Sequence, residues 1–158
     1  MSEINVLMPI LFEFVKKMNT KYKDLFFVFH STSEHVQLIQ NLLLKEGFKN
    51  CGAIGDEKIK SHMLKSSIFA LAKSGTISLE ICKAKIPSVI IYKMGMINFF
   101  IVKMLVKVKF ANIINIAAKE EIIPELLQSK CNPTNIYNTV DKLLSDKSKL
   151  DKQVNKTQ

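Results

Sequence analysis

A chain of 158 residues holds one compact domain and is too short for two ordinary ones side by side. Its 47% apolar content suffices for a core without disulfides or metals and excludes disorder of the whole chain. With 23 basic against 14 acidic side chains the formal charge is +9, which suits an anionic partner (phosphate, nucleic acid or lipid headgroup) without choosing among them.

Every basic residue is lysine, so no planar guanidinium fork exists for two-point capture of phosphate or carboxylate. An anion site must therefore use lysine or backbone amides. The same bias, with abundant Ile and Asn, is also what a skewed coding composition produces. Cys51, Cys82 and Cys131 are widely spaced and odd in number, as expected of reduced, passive thiols in a cytosolic protein. The segment Met1-Ser2-Glu3-Ile4-Asn5 lacks the basic start of a secretory signal. Lys93, Lys103, Lys107 and Lys109 interrupt the most apolar region, Ile86 to Phe110, leaving runs well short of the ~18 residues a span needs.

Ile10, Leu11, Phe14, Val15 and Met18 recur at helical spacing, with Pro9 expected in the first turn. Leu25 to Phe29 is a continuous apolar run, which predicts a parallel strand covered on both faces. Ser31 and Glu34 offer a capping box for a helix carrying Val36, Ile39, Leu42 and Leu43, which Gly47 ends. Asn50 to Ile54 predicts a second strand, Gly55-Asp56 a turn and cap for a helix to about Leu64, and Ile68 to Ala72 a third strand. A helix to about Lys83, a stop at Pro87 and a fourth strand over Ser88 to Tyr92 follow. Alternating strands and helices with short connections define an α/β fold with a mainly parallel sheet flanked by helices.

Phe99 to Val108 is apolar nearly all round, which fits either a core helix or a membrane-contact surface. Pro133 opens a last amphipathic helix sharing Ile136, Val140, Leu143 and Leu144 on one face. The polar, lysine-rich composition of residues 146–158 predicts a disordered tail after a domain over 1–145.

Ligands of such folds bind at the carboxyl edge of the sheet. There the third strand turns into its helix through Ser74-Gly75-Thr76-Ile77-Ser78-Leu79-Glu80. Gly75 permits close backbone approach, the amides opening the helix and the hydroxyls of Ser74 and Thr76 can hold a diphosphate, and Glu80 can accept from ribose hydroxyls. Read alone, the string is equally an ordinary helix cap with a surface acid. His30, His35 and His62 form no recognisable zinc pattern, and neither a Walker loop nor a G-x-S-x-G elbow occurs. Nucleic-acid binding has only the net charge behind it, with no aromatic-basic motif.

The longer string is more specific. Ser74 to Glu80, Pro87 with Tyr92, Leu105-Val106-Lys107, Asn115, Glu121 and Glu125-Leu126-Leu127-Gln128 resemble the carboxyl-terminal domain of the lipid-A-disaccharide synthase family. The order there is an S-G-T-x-x-L-E turn, a P-x-V-x-x-Y strand, an L-V-K segment, an N-L-L-A-G-R-E loop and an E-L-L-Q helix. The resemblance covers most of residues 2 to 145.

It implies one Rossmann-like lobe of a two-lobed glycosyltransferase of the B type, with no cofactor or metal. Ser74, Gly75 and Thr76 would meet the diphosphate of UDP-2,3-diacylglucosamine and Glu80 its ribose, with Asn115, Glu121 and Gln128 also in the donor site. The acceptor would be 2,3-diacylglucosamine 1-phosphate, and the place the cytoplasmic face of the inner membrane, by peripheral contact with anionic lipid.

Two departures stand out. Lys119-Glu120 replaces the family's Gly-Arg, and Met1 begins where the family's Gly-Ser-Arg turn would end. The amino-terminal lobe, which would carry the acceptor pocket and the catalytic base, is therefore expected to be absent or on another polypeptide, and the chain alone inactive. A non-catalytic relic or a membrane- or protein-interaction module is the alternative.

Overall fold

Helix α1 (Glu3–Lys21) opens the computed structural model, which describes residues 3–73, 75–93 and 110–157. Pro9 lies inside α1 instead of in its first turn, because the helix starts upstream of the apolar periodicity, with acidic Glu3 at its favourable end. An interior proline costs about 3 kcal/mol. Burial of Met8, Phe12, Phe14, Val15 and Met18 along the helix offsets it.

The chain divides into two compact units, Val15–Ser67 and Met1–Phe14 with Ile68–Gln158. The smaller unit carries β1 (Phe27–His30), α2 (Ser33–Lys45), β2 (Cys51–Ile54) and α3 (Glu57–Ser66). The strands pair in parallel from Phe27↔Cys51 to His30↔Ile54. Asn50 Nδ2 donates to the Leu25 carbonyl at 2.8 Å and to Asn19 at 2.9 Å, and the Gln40 side chain accepts from the Ala53 amide at 3.1 Å. Asp56 caps α3, accepting from the Lys58 and Ile59 amides at 2.7 and 3.1 Å. Gly47, at φ +76, ends α2, and the Phe48 amide reaches back to the Leu43 carbonyl at 3.2 Å.

Two expectations for this unit are corrected. The residue capping α2 is Thr32, which makes no side-chain cap bond and instead pairs with His35 Nδ1 at 2.7 Å, so the Ser31–Glu34 capping box does not form. Strand β1 alternates between half-buried and exposed positions, with Phe26 63% and Val28 39% exposed, so among the described residues only one of its faces is covered. A run that is apolar throughout does not reveal which of its faces has a partner.

The larger unit carries β3 (Ala70–Lys73), α4 (Ile77–Lys83), β4 (Ser88–Tyr92), α5 (Ile113–Ala118), β5 (Glu125–Leu127), α6 (Pro133–Leu144) and α7 (Lys147–Lys156). Its sheet has the order β3-β4-β5, with both pairings parallel. Ser88, Val89, Ile90 and Ile91 of the central strand are all buried, as a strand flanked on both edges and both faces must be. Ile136, Val140 and Leu143 form the buried apolar face of α6, which Asn132 caps through the Asn135 amide at 2.9 Å. The molecule is thus α/β, with parallel sheets flanked by helices. The apolar stretch Phe99 to Val108 lies outside the described residues.

Two further expectations change here. Glu125-Leu126-Leu127-Gln128 is not helical: its first three residues form β5 and Gln128 opens a 3-10 turn to Lys130. Pairing with β4, from Ile90↔Glu125 to Tyr92↔Leu127, decides a string that local preference leaves open. Nor is the tail disordered. Asp146 caps α7 by accepting from the Lys149 amide, and Gln153 is buried. The Gln153 side chain accepts from the Ser88 amide at 2.7 Å and donates to the Ser88 carbonyl at 3.0 Å, completing the start of β4 as a neighbouring strand would.

Candidate functional site

Past the carboxyl end of β3 the chain turns through Gly75 and Thr76 into α4; Ser74 lies outside the described residues. Buried Ser78 holds this turn from within, its hydroxyl donating to the Gly75 carbonyl. Residue type does not single Ser78 out, because its role depends on its depth; the one signal in the sequence is its spacing of three from Gly75. Thr76 and Glu80 are both exposed and four residues apart, so they share a helix face. The Thr76 side chain makes no capping bond, and the Thr76 and Ile77 amides donate to no acceptor among the described residues. Helix α4 spans only seven residues, so hydroxyls and individual amides outweigh any macrodipole here.

Lys73, the last residue of β3, donates to both Glu3 carboxylate oxygens at 2.7 Å and lies 5.4 Å from the Tyr92 ring centroid. Its charge is already countered. Gln128 follows the last residue of β5, at φ +52. Because Lys73 pairs with Ile91 and Leu127 with Tyr92, Gly75 and Gln128 both leave the carboxyl edge from strands two apart. That separation is about 10 Å between strand axes.

Asn115 and Glu121 are on the segment leading into β5, toward the opposite end of the strands. Asn115 is fully buried and all its side-chain capacity is used. Nδ2 donates to the Ile123 carbonyl and to Glu125 Oε1, both at 2.7 Å, while Oδ1 accepts from the Ile122 and Ile123 amides at 2.9 Å. Glu125 also accepts from the Ala111 and Asn112 amides at 2.7 and 3.0 Å, so its buried carboxylate is met by three donors. Glu121 is exposed, and one of its oxygens accepts from the Glu125 amide at 3.2 Å. The chain thus leaves one sheet edge at Gly75-Thr76 and at Gln128, with Glu80 further along α4 on the helix face of Thr76, and Asn115 pins a loop. Glu120, where the family pattern has Arg, is bridged by Lys156 at 2.8 and 2.9 Å.

All three thiols are buried, and burial raises each above its ordinary value, Cys51 to about 11. His30 faces Glu57 at 3.5 Å. Among the described residues no cluster of three or more His, Cys, Asp or Glu could hold a metal ion.

Parallel strands, helical flanks and a glycine-bearing strand-to-helix turn at the carboxyl edge make this a Rossmann-like α/β lobe of the glycosyltransferase kind. The family model for lipid-A-disaccharide synthetase matches residues 1–158, the whole chain. A lipid-A-disaccharide synthase of Sulfurihydrogenibium sp. is 34% identical over 158 residues, covering 93% of this chain and 40% of that protein. The synthase of Rickettsia typhi is 37% identical over 152 residues, covering 96% of this chain and 39% of that protein. In Rickettsia akari the match is 46% over 89 residues. The chain therefore belongs to the lipid-A-disaccharide synthetase family, whose members are glycosyltransferases of lipid A biosynthesis, and it spans about two fifths of the length of these relatives.

Proposed function

We propose that the chain supplies the UDP-binding lobe for transfer of 2,3-diacylglucosamine from UDP to 2,3-diacylglucosamine 1-phosphate. The observation supporting this reading is that Gly75, Thr76 and Gln128, three members of the family string, follow the carboxyl ends of strands of one parallel sheet, with Glu80 on the helix face of Thr76. In such a transfer a base takes the proton of the acceptor hydroxyl, whose oxygen attacks the anomeric carbon. The bond to the diphosphate breaks, and UDP leaves with the electron pair.

Ser74, Gly75 and Thr76 would hold the departing diphosphate and Glu80 the ribose, with Gln128 leaving the same sheet edge; Glu121, at the other end of β5, stays outside this donor site. Asn115 would serve the donor by fixing the loop it is buried in. In this reading the base and acceptor pocket lie outside these 158 residues, which by themselves do not turn over. Among the described residues no helix is long and apolar enough to cross a membrane. Attachment in this reading is peripheral, to anionic lipid at the cytoplasmic face of the inner membrane.

The test is calorimetry with UDP. Weak saturable binding to the chain, reduced at least tenfold by Glu80→Ala, is expected, with no transfer from a radiolabelled donor. Unchanged affinity in Glu80→Ala would remove that carboxylate from the site, and turnover by the chain alone would overturn the division of labour. A second reading, an interaction module, draws on Phe26 and Leu44, which are 63% and 64% exposed. Liposome sedimentation indifferent to UDP, with no nucleotide-dependent thermal shift, would favour it.

A further inference from the structure

Helices α6 and α7 and the segment entering β5 enclose an open cavity of about 520 Å³. It lies toward the amino-terminal end of the strands, since the Gln153 amide on its wall binds Ser88, the first residue of β4. Four ammonium groups line it: Lys142 from α6, and Lys149, Lys152 and Lys156 from α7. The α7 lysines recur at spacings of three and four, which puts them on one helix face.

Among the described residues one carboxylate, Glu121, shares the wall. Lys149 is paired with Asp146 at 2.7 Å and Lys156 with Glu120 at 2.8 Å, whereas Lys142 and Lys152 make no ion pair among the described residues. Two uncompensated ammonium groups on facing helices raise the local potential, and an anion between them relieves it. The volume falls within the ~300–1,000 Å³ of small-molecule sites, leaving room beyond a bare phosphate for the body that carries it. Ile122 and Leu143 supply apolar wall for that body. Among the described residues no aromatic side chain lines the cavity, so stacked bases have no platform there.

We propose that this cavity binds a phosphate-bearing anion of two or more charges, at a site separate from the carboxyl edge and independent of the donor reading given above. Lys142 and Lys152 make the primary contacts. Lys149 and Lys156 follow by exchanging their carboxylate partners for the ligand. Binding weakens as salt rises, because exposed ammonium groups are screened over about 8 Å at physiological ionic strength.

The experiment uses the full chain and two phosphate sources: inorganic pyrophosphate by calorimetry, and phosphatidylcholine vesicles containing phosphatidic acid by sedimentation. At least one probe is expected to bind saturably, with affinity at least tenfold lower in Lys142→Gln/Lys152→Gln and retained in Lys142→Arg/Lys152→Arg. The control Lys17→Gln/Lys45→Gln, which removes two exposed lysines of the smaller unit, stays within twofold of the parent. Cavity-dependent binding of pyrophosphate alone identifies a soluble ligand, and of vesicles alone a lipid headgroup; either outcome upholds the site. The proposal is overturned if neither probe saturates, if the cavity variant binds like the parent, as it would were pyrophosphate held at the Gly75 turn instead, or if the control pair loses as much.

Discussion

Asn115 donates to the Glu125 carboxylate at 2.7 Å across ten residues of sequence, and both side chains are buried. The pair ties α5 to the start of β5. Asn115→Ala leaves the Ile122 and Ile123 amides without their side-chain acceptor and takes one of three donors from a buried carboxylate. A loss of about 3 kcal/mol in urea unfolding is expected from groups left unpaired in the interior. A change below about 0.5 kcal/mol would mean that the network is hydrated in solution.

Gln153 should matter more than its place in a lysine-rich segment suggests. Gln153→Leu keeps the side-chain bulk but orphans the amide and carbonyl of Ser88, and a loss of about 2 kcal/mol is expected. Hydrogen exchange gives the sharper readout. The Ser88 amide should lose protection selectively, while Ala72 and Ile90 follow global unfolding.

Lys119 ends α5 in the left-handed region, at φ +56, where the family pattern has glycine. A side chain there costs about 1–2 kcal/mol, partly recovered because lysine restricts the unfolded chain more than glycine does. Lys119→Gly should therefore stabilise the protein by about 0.5–1 kcal/mol, read as a higher urea midpoint at unchanged slope. No gain would imply that Lys119 makes a compensating contact.

Burial raises Cys51 to about 11 from 9.0, and Cys82 and Cys131 move in the same direction. A folded-state value above the unfolded one holds stability fully below pH 9 and gives it up as pH climbs toward 11. With the folded and unfolded values of Cys51 that far apart, its share is about 2–3 kcal/mol. Since lysines titrate in the same window, the comparison is with Cys51→Ala, whose stability should fall less steeply between pH 9 and 11. Parallel profiles would contradict the assignment.

Much of the α/β order is legible because short apolar runs are separated by residues with definite local chemistry. Asp56 caps α3 as its residue type predicts, Gly47 takes the left-handed turn, and Pro133 starts α6. Legibility fails where a distant partner decides. Glu125-Leu126-Leu127 is acceptable to a helix or a strand, and β4 settles it. Gln153 is one buried amide among lysines, so hydropathy hides it. Thr76 and Glu80 can be read from spacing because exposure and a shared face follow from helix geometry. The role of Asn115 cannot, because its residue type suits a ligand contact and a loop pin equally well.

The clasp of Gln153 on Ser88 also orders events in time. Ser88 is synthesised 65 positions before the amide that satisfies it. During translation the central strand must wait with its first backbone groups held by water, and a ribosome stalled between the two would present an unfinished sheet edge to other chains.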